Sequence, residues 1–540
     1  MAEQATSGVR LAELVAALSL ATDLGLGQPQ GHILRTTVIA TRLAALAGLP
    51  DDEQAAAYYV ALLAWVGCVA DSHEMASWFG DDTQIRAASY EVNRAGLPML
   101  RFLLASLATD GSPVRRISTT SQFMTGGFRE VMKSLSAHCE TTGEIADQLG
   151  LAAVVRRSLP QALERWDGKG GPLGLAGEQI ERVMRVVHIA QEAEVFCRVG
   201  GVAGVIGMLR ERGGREFDPR VAELCRTRAE EILRDISTVD AWGVVIQGCA
   251  PLDQRMDEAG LRAALRTFAD YADLKSPWFL GHSRAVAALA AQAARGMGLR
   301  PAAVDLVEHA GYVCRLGGIG VSAATWARPG PLSGIEWERV RTVPYLTERI
   351  LIHQPRLAEI GAVASMVHER ADGSGYPRGL SGSAIPPTAR VLAAADVYQA
   401  LREERPHRAS LGPAAARAVL LEEAIEGRLD AEAVNAVLVA AGHQVRRRPN
   451  LIAGLSPREV QVLSLLVRGL SNKQIAAQLS VSARTVGSHI EHIYTKIGVS
   501  SRGPAAMYAM RHGLVDASVP GAPEPQRSGE RPMPGGGALP

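Results

Sequence analysis

Arg484, Thr485, Ser488, His489 and Lys496 are cations or hydrogen-bond donors spaced so that they fall off the apolar stripe Val486, Ile490, Ile493 and Ile497 of one helix. A polar face of this kind suits a charged, hydrogen-bonding partner such as nucleic acid. The elements that must position it are readable on either side. Ser482 is an N-cap for that helix, and Ser480-Val481-Ser482 makes a tight turn. Before the turn, Ser471 and Asn472 open a short helix carrying Ile475, Ala476 and Leu479, so the pair reads as helix-turn-helix. Upstream, Ser456-Pro457-Arg458-Glu459 is a capping box with proline at the first helical position, ahead of Val460, Leu463, Leu466 and Val467, and Gly469 stops that helix. Downstream, 502–512 supplies a fourth helix with Ala505, Ala506 and Met510, ended by Gly513. Residues 455–515 hold seven Lys and Arg against two acids, whereas the whole chain is only +1. Arg446-Arg447-Arg448 beside them reads equally as a solvated linker or a phosphate-contacting arm.

The run LSPREVQVLSLLVRGLSNKQIAAQLSVSARTVGSHI, within Leu455 to Leu514, resembles the LuxR-type C-terminal DNA-binding domain. The resemblance implies that the helix from Ser482 to Lys496 enters the major groove of double-stranded DNA. It places Arg484, Thr485, Val486, Ser488 and His489 nearest base edges, and Lys473 and Lys496 near phosphates. It also points to 502–512 as the contact of a homodimer. One departure is Gly487, where many relatives carry Lys; a long contact is missing and a mid-helix glycine costs about 0.5–1 kcal/mol.

At 540 residues, 47% of them hydrophobic, the chain is too long for one core. Cysteines 68, 139, 197, 225, 249 and 314 lack C-x-x-C spacing and read as reduced thiols. Leu14 to Ala21 is apolar, but Glu3 and Glu13 precede it without a lysine, unlike a signal peptide, and no long uninterrupted apolar window follows. The expectation is a cytoplasmic protein without a membrane span. Residues 10–445 read as helix throughout. Residues 516–540 are rich in Pro and Gly and should be disordered.

HERADGSGYPRGLSGSAIPPTARVLAAAD from His368 aligns without a gap on LERWDGKGGPLGLAGEQIERVMRVVHIAQ from Leu163, pairing Asp372 with Asp167, Pro377 with Pro172 and Arg390 with Arg185. GHSRAVAALAAQAARGMGL from Gly281 falls likewise on GHILRTTVIATRLAALAGL from Gly31, pairing His282 with His32. Two copies of one helical unit follow: 10–235, with an insertion over about 80–130, and 262–445, joined by a connector at 236–261. A basic linker, 446–454, leads to the DNA-binding segment 455–515. The fold class is all-α: tandem units, then a four-helix DNA-binding domain.

Each copy resembles an HD-GYP-type metal-dependent phosphohydrolase domain, the second more closely, through DLKSPWFLGHSRAVA, HERADGSGYPRGL, AAADVYQAL and ERPHR. The resemblance implies two or three metal ions held by His and Asp around a bridging hydroxide. Position by position the ligand set is broken. His282, His368 and Asp396 match, but the HD pair falls on Cys314-Arg315, another histidine on Val343, and the first of a His-His pair on Val367. In copy one His32 and His138 match, while the HD pair falls on Ala64-Trp65, the His-His pair on Ala162-Leu163 and the last Asp on Gln191. No metal, cofactor or catalytic residue is therefore expected. Two readings of Arg315 stand open. It pairs directly with Asp396 where metal would sit, with Trp65 plugging the equivalent place in copy one; or, with His282 and His368, it binds an anionic small molecule. Gly373, Gly375 and Gly379 read as backbone requirements, and Tyr376 as a packing or stacking ring. The leading function is a transcription regulator whose tandem module senses a ligand or partner. The alternatives are a phosphohydrolase fused to a DNA-binding domain, and a tandem module that serves only as a dimerisation scaffold.

Overall fold

The computed structural model describes residues 8–90, 92, 96–107, 113–248, 254–444, 455, 457–512 and 514. The expected tail 516–540, the basic linker 446–454 and Cys249 lie outside them. The chain divides into two compact units, Met1–Gln444 and Val445–Pro540. Regular structure among the described residues is helical throughout.

In the first unit the internal repeat recurs as repeated bonds. Asp23 accepts the backbone N–H groups of Gly31 (2.7 Å) and Ile33 (3.0 Å), fixing the start of helix His32–Leu46. Asp273 accepts Ser283 N–H (2.9 Å) and its hydroxyl (2.7 Å), fixing helix His282–Gly296. Each helix follows a glycine in the left-handed region, Gly31 at φ +83° and Gly281 at φ +79°. Glu164 accepts Leu173 and Leu175 N–H, as Glu369 accepts Arg378 and Leu380 N–H, so the Gly-rich loops are hung on equivalent carboxylates. Arg185 bonds Ile180 O and Asp218, as Arg390 bonds Ile385 O and Asp430. Gly67 and Gly317 let a helix approach so closely that a Cβ would lie 2.1 Å from His138 O or 2.3 Å from Val343 O. Gly373 and Gly379 have positive φ (+85° and +64°), whereas Gly375 is needed for space, since a Cβ there would meet Arg370 N at 2.4 Å.

Leu11–Gly25 is apolar nearly all round and is buried accordingly. It packs against the turns Val66–Val69 and Leu316–Gly320, one from each copy, and Thr22 meets Tyr271 hydroxyl to hydroxyl at 2.9 Å. The insertion is helical, with a small core of Phe79, Ile85, Leu107 and Phe123. It is anchored on copy two by Asp82, fully buried, which receives Lys275 Nζ (2.5 Å), Ala323 N–H (2.8 Å) and Ser322 Oγ (3.2 Å). The connector carries helix Ala241–Gln247, whose Trp242 stacks on His353 at 4.7 Å. No single helix among the described residues is long and apolar enough to cross a membrane.

The second unit has four helices, Pro457–Val467, Asn472–Leu479, Ala483–Ile497 and Arg502–Arg511, around Leu463, Leu466, Ile475, Val486, Ile493 and Ala505. Ser471 and Ser482 cap the middle two through Gln474 N–H and Thr485 N–H. Ser480 in the left-handed region makes the turn between them. Two arginines close helix C-termini: Arg458 donates to Leu479 O, and Arg502 to Leu466 O and Leu470 O.

Candidate functional site

Copy two encloses a cavity of about 710 Å³ whose wall includes His282, Arg315, His368 and Asp396. His282 opens its helix, Asp396 lies within Pro387–Arg402, Arg315 follows the end of Pro301–Val313, and His368 leads into the Gly-rich loop. His282 Nε2 lies 3.1 Å from Asp396 Oδ1 and its Nδ1 2.7 Å from Glu403 Oε2. Burial opposes a charge on His282, but bonds to these carboxylates outweigh it and raise its pKa above the ordinary value. Burial likewise opposes ionisation of Asp396, yet the His282 bond and the nearby cations hold it well below the usual carboxylate range. His368 Nδ1 is 3.9 Å from Asp396 Oδ2, and burial pulls its pKa down to about 4, so it is neutral near pH 7.

Arg315 departs from the first expectation. Asp396 is bound by His282, with His368 at 3.9 Å, and among the described residues no carboxylate comes within the 4.0 Å ion-pair limit of the Arg315 guanidinium. The guanidinium lies on the ring of Phe279 instead, 3.5 Å from its centroid, with Trp326 at 5.3 Å. Its Nε is buried with no hydrogen-bond partner, and burial lowers the Arg315 pKa despite the fields of Asp273 and Asp396. The reason is local. A planar cation gains a π-face two helical turns of sequence cannot foretell, while the carboxylate finds shorter routes to imidazole.

Sequence reasoning missed Phe279, Glu403, Arg405, Arg328 and Arg408. Arg405 lies 4.9 Å from the Phe279 ring and donates to Glu403 (2.7 Å), and Arg328 and Arg408 join the same wall. The phrases SPWF and ERPHR held Phe279, Arg405 and Arg408, but only as family pattern. Tyr376 packs on His368 at 5.0 Å with Arg341 over its face at 5.7 Å. A metal cluster does not fit this donor set. The position where the resemblance puts a bridging carboxylate is an arginine, Cys314 is buried with its thiol pKa pushed up by desolvation, and the one carboxylate of the wall, Asp396, is already bound by His282.

In copy one His32 Nδ1 meets Glu194 at 2.5 Å and its Nε2 receives Gln191 Nε2 at 3.0 Å, while His138 Nε2 is 3.0 Å from Ala64 O. These are buried, hydrogen-bonded imidazoles. Trp65 does not plug the equivalent place: it forms one wall of a cavity of about 410 Å³ that remains open beside it.

On the second unit, Lys473, Arg484, Thr485 and Ser488 are exposed and His489 is half-buried. Two expected contacts change. Val486 is fully buried in the core, as its place in the apolar stripe requires, and cannot reach a base edge. Lys496 Nζ is held 2.8 and 3.0 Å from the Glu459 carboxylate, which is itself buried, so its charge is engaged within the unit. At Gly487 an added Cβ would meet nothing within 4 Å.

Residues 266–433 match the HD domain family, and residues 453–509 match the luxR family of bacterial regulatory proteins. Over 426 residues the chain is 27% identical to the 3'3'-cGAMP-specific phosphodiesterase 3 of Vibrio cholerae, covering 78% of this chain and 92% of that relative. The C-terminal part is 34% identical over 79 residues to the response regulator protein VraR of Staphylococcus aureus, 15% of this chain and 38% of VraR. The crystal structure of a cyclic GMP-AMP specific phosphodiesterase of V. cholerae superposes with a TM-score of 0.57 at 25% identity, covering 81% of this chain and 99% of that one. The chain thus carries an HD phosphodiesterase-like domain and a LuxR-type DNA-binding domain.

Proposed function

We propose that this chain is a cytoplasmic, DNA-binding transcription regulator in which copy two binds a phosphate-bearing ligand without cleaving it. The observation that carries the reading is the Arg315 guanidinium, a half-buried cation with a buried, unpartnered Nε and no counter-ion among the described residues, facing a cavity lined by Phe279, Trp326 and Trp337; Arg328, paired with Glu336 (2.6 Å), and Arg405, paired with Glu403 (2.7 Å), add positive charge to the same wall. Such a wall offers donors to an anion and ring faces to a planar base. The relative named for 3'3'-cGAMP makes a cyclic dinucleotide the first ligand to try. The same name favours the second reading, a phosphodiesterase; the broken metal set argues against it.

The test is calorimetric titration of the full chain with 3'3'-cGAMP, with and without Mn²⁺, and analysis of the nucleotide afterwards. Saturable binding that is independent of metal, with intact ligand recovered, supports a sensor. Metal-dependent release of linear product would establish the enzyme instead. DNA binding is assigned to 450–515 through Lys473, Arg484, Thr485, Ser488 and His489, and dimerisation to Arg502–Arg511, where Met507 and Met510 are more than half exposed. Footprints should span two half-sites about one helical turn apart.

A further inference from the structure

The cavity of copy one has a different chemistry from that of copy two. Each buried ionised group of its wall already has an oppositely charged or hydrogen-bonding partner. Asp71 pairs with Arg86; Arg165 pairs with Asp167 (3.1 Å) and Glu216 (3.3 Å); Glu192 pairs with Arg212 (3.3 Å). Glu164 is used by the N–H groups of Leu173 (2.6 Å), Gly174 (3.2 Å) and Leu175 (3.0 Å). Lys169 is exposed and stays in water. An ion entering here would leave its hydration shell and find every buried charge of the wall already paired, Lys169 being exposed to water, which is unfavourable.

What remains free is apolar. Trp65, Met75 and Ile85 form one part of the wall, and the insertion helix Gly96–Ser106 supplies Leu100, Phe102 and Leu103. One buried amide of the wall is only partly satisfied. His32 Nδ1 is committed to Glu194, so its Nε2 is the acceptor for Gln191 Nε2; the other Gln191 N–H goes to the Tyr90 hydroxyl at 2.7 Å. That leaves Gln191 Oε1, on a side chain 1% exposed that lines the cavity, with no hydrogen bond. A buried unmet acceptor asks for a donor from whatever occupies the space.

We infer that copy one is a second, separate binding site, for an uncharged and mainly apolar small molecule that donates one hydrogen bond to Gln191 Oε1. At about 410 Å³ the cavity is of the size that holds such ligands. The insertion is what builds the site, because without Leu100, Phe102 and Leu103 the wall would be missing on that side.

The test uses the full chain and two dyes with one skeleton. N-phenyl-1-naphthylamine is uncharged with a single N–H; 1-anilinonaphthalene-8-sulfonate adds an anionic group. The uncharged dye should brighten saturably at one equivalent and bind at least about tenfold more tightly than the sulfonate in competition for that site. Leu103→Trp should weaken it about tenfold or more by filling the space, and Gln191→Leu roughly three- to tenfold. Leu100→Trp fills the same space from another position should Leu103→Trp fail to fold. Unchanged binding in whichever of the two tryptophan variants retains the parent circular dichroism overturns the site. So does loss of the uncharged dye in Arg315→Met, which would place it in copy two.

Discussion

Replacing Arg315 by methionine separates a residue kept for stability from one kept for a ligand. Methionine roughly preserves the length and fills the space over Phe279. What is lost is the cation–π contact at 3.5 Å, worth about 0.5–2 kcal/mol. What is relieved is a half-buried guanidinium whose Nε is buried without a partner and which has no carboxylate within ion-pair range among the described residues, a burden of about 1–3 kcal/mol. The two effects nearly offset, so Arg315→Met should leave the stability of the tandem unit unchanged or raise it by about 1 kcal/mol. The same change removes a charge-assisted donor, worth about 1.5–3 kcal/mol to a bound anion, so affinity for a phosphate-bearing ligand should fall roughly 10- to 150-fold. Urea unfolding followed by circular dichroism gives the first number, and calorimetry with 3'3'-cGAMP or pyrophosphate the second. A variant destabilised by 2 kcal/mol or more, with anion affinity unchanged, would refute the reasoning and make Arg315 a packing residue.

Asp82→Ala should cost about 3–5 kcal/mol, because it strands the Lys275 ammonium in a site where that residue is 1% exposed, and limited proteolysis should then cut the insertion first. Burial opposes ionisation of Asp82, but Lys275 and Arg86 outweigh it and hold its pKa below the ordinary value; its stabilisation is therefore complete above about pH 4 and lost as pH falls through the folded value, a dependence that acid titration of the variant should lack. Gly487→Ala should stabilise the second unit by about 0.5–1 kcal/mol, since its Cβ enters open space on a helix, and thermal melts of 450–515 will show it. Lys473→Ala should lower the salt slope of DNA binding by about 0.9 without moving stability, whereas Lys496→Ala should lower stability by leaving Glu459 without its ion pair; equal salt slopes in the two variants would contradict the distinction.

The HD-type fold and the helix-turn-helix were legible because both rest on local signals, capping serines and apolar periodicity, repeated where the chain repeats. Asp23 and Asp273, or Arg185 and Arg390, make matching bonds because matching sequence sits at matching places. The stripe through Val486 already implied burial; the expectation that it touches bases came from family resemblance and yielded to that stripe. The partner of Arg315 was not legible. The ring of Phe279 and the carboxylate of Asp396 could each satisfy a guanidinium there, and which one wins depends on whether Asp396 is already bound, a fact set by the place of His282 in space. The open cavity of copy one was hidden for a similar reason, since its missing wall comes from an insertion with no counterpart in the other copy.

Against the metal set that the family resemblance implies, the two copies depart in ways that are chemically opposite. Copy two exchanged a bridging carboxylate for a cation and kept the carboxylate it would oppose, so the cavity stays polar and its electrostatics favour an anion. Copy one exchanged the same carboxylate for Trp65 and the distal one for Gln191, and its charges closed on one another. A site decaying without use should collapse, because an unfilled cavity costs stability and any larger side chain relieves it. Both cavities persist instead, and buried polar atoms without a hydrogen bond belong to the wall of each, Arg315 Nε among those of one and Gln191 Oε1 among those of the other. Groups of that kind are expensive in a folded protein, and their retention side by side with well-satisfied neighbours is what a pair of binding sites of unlike specificity requires.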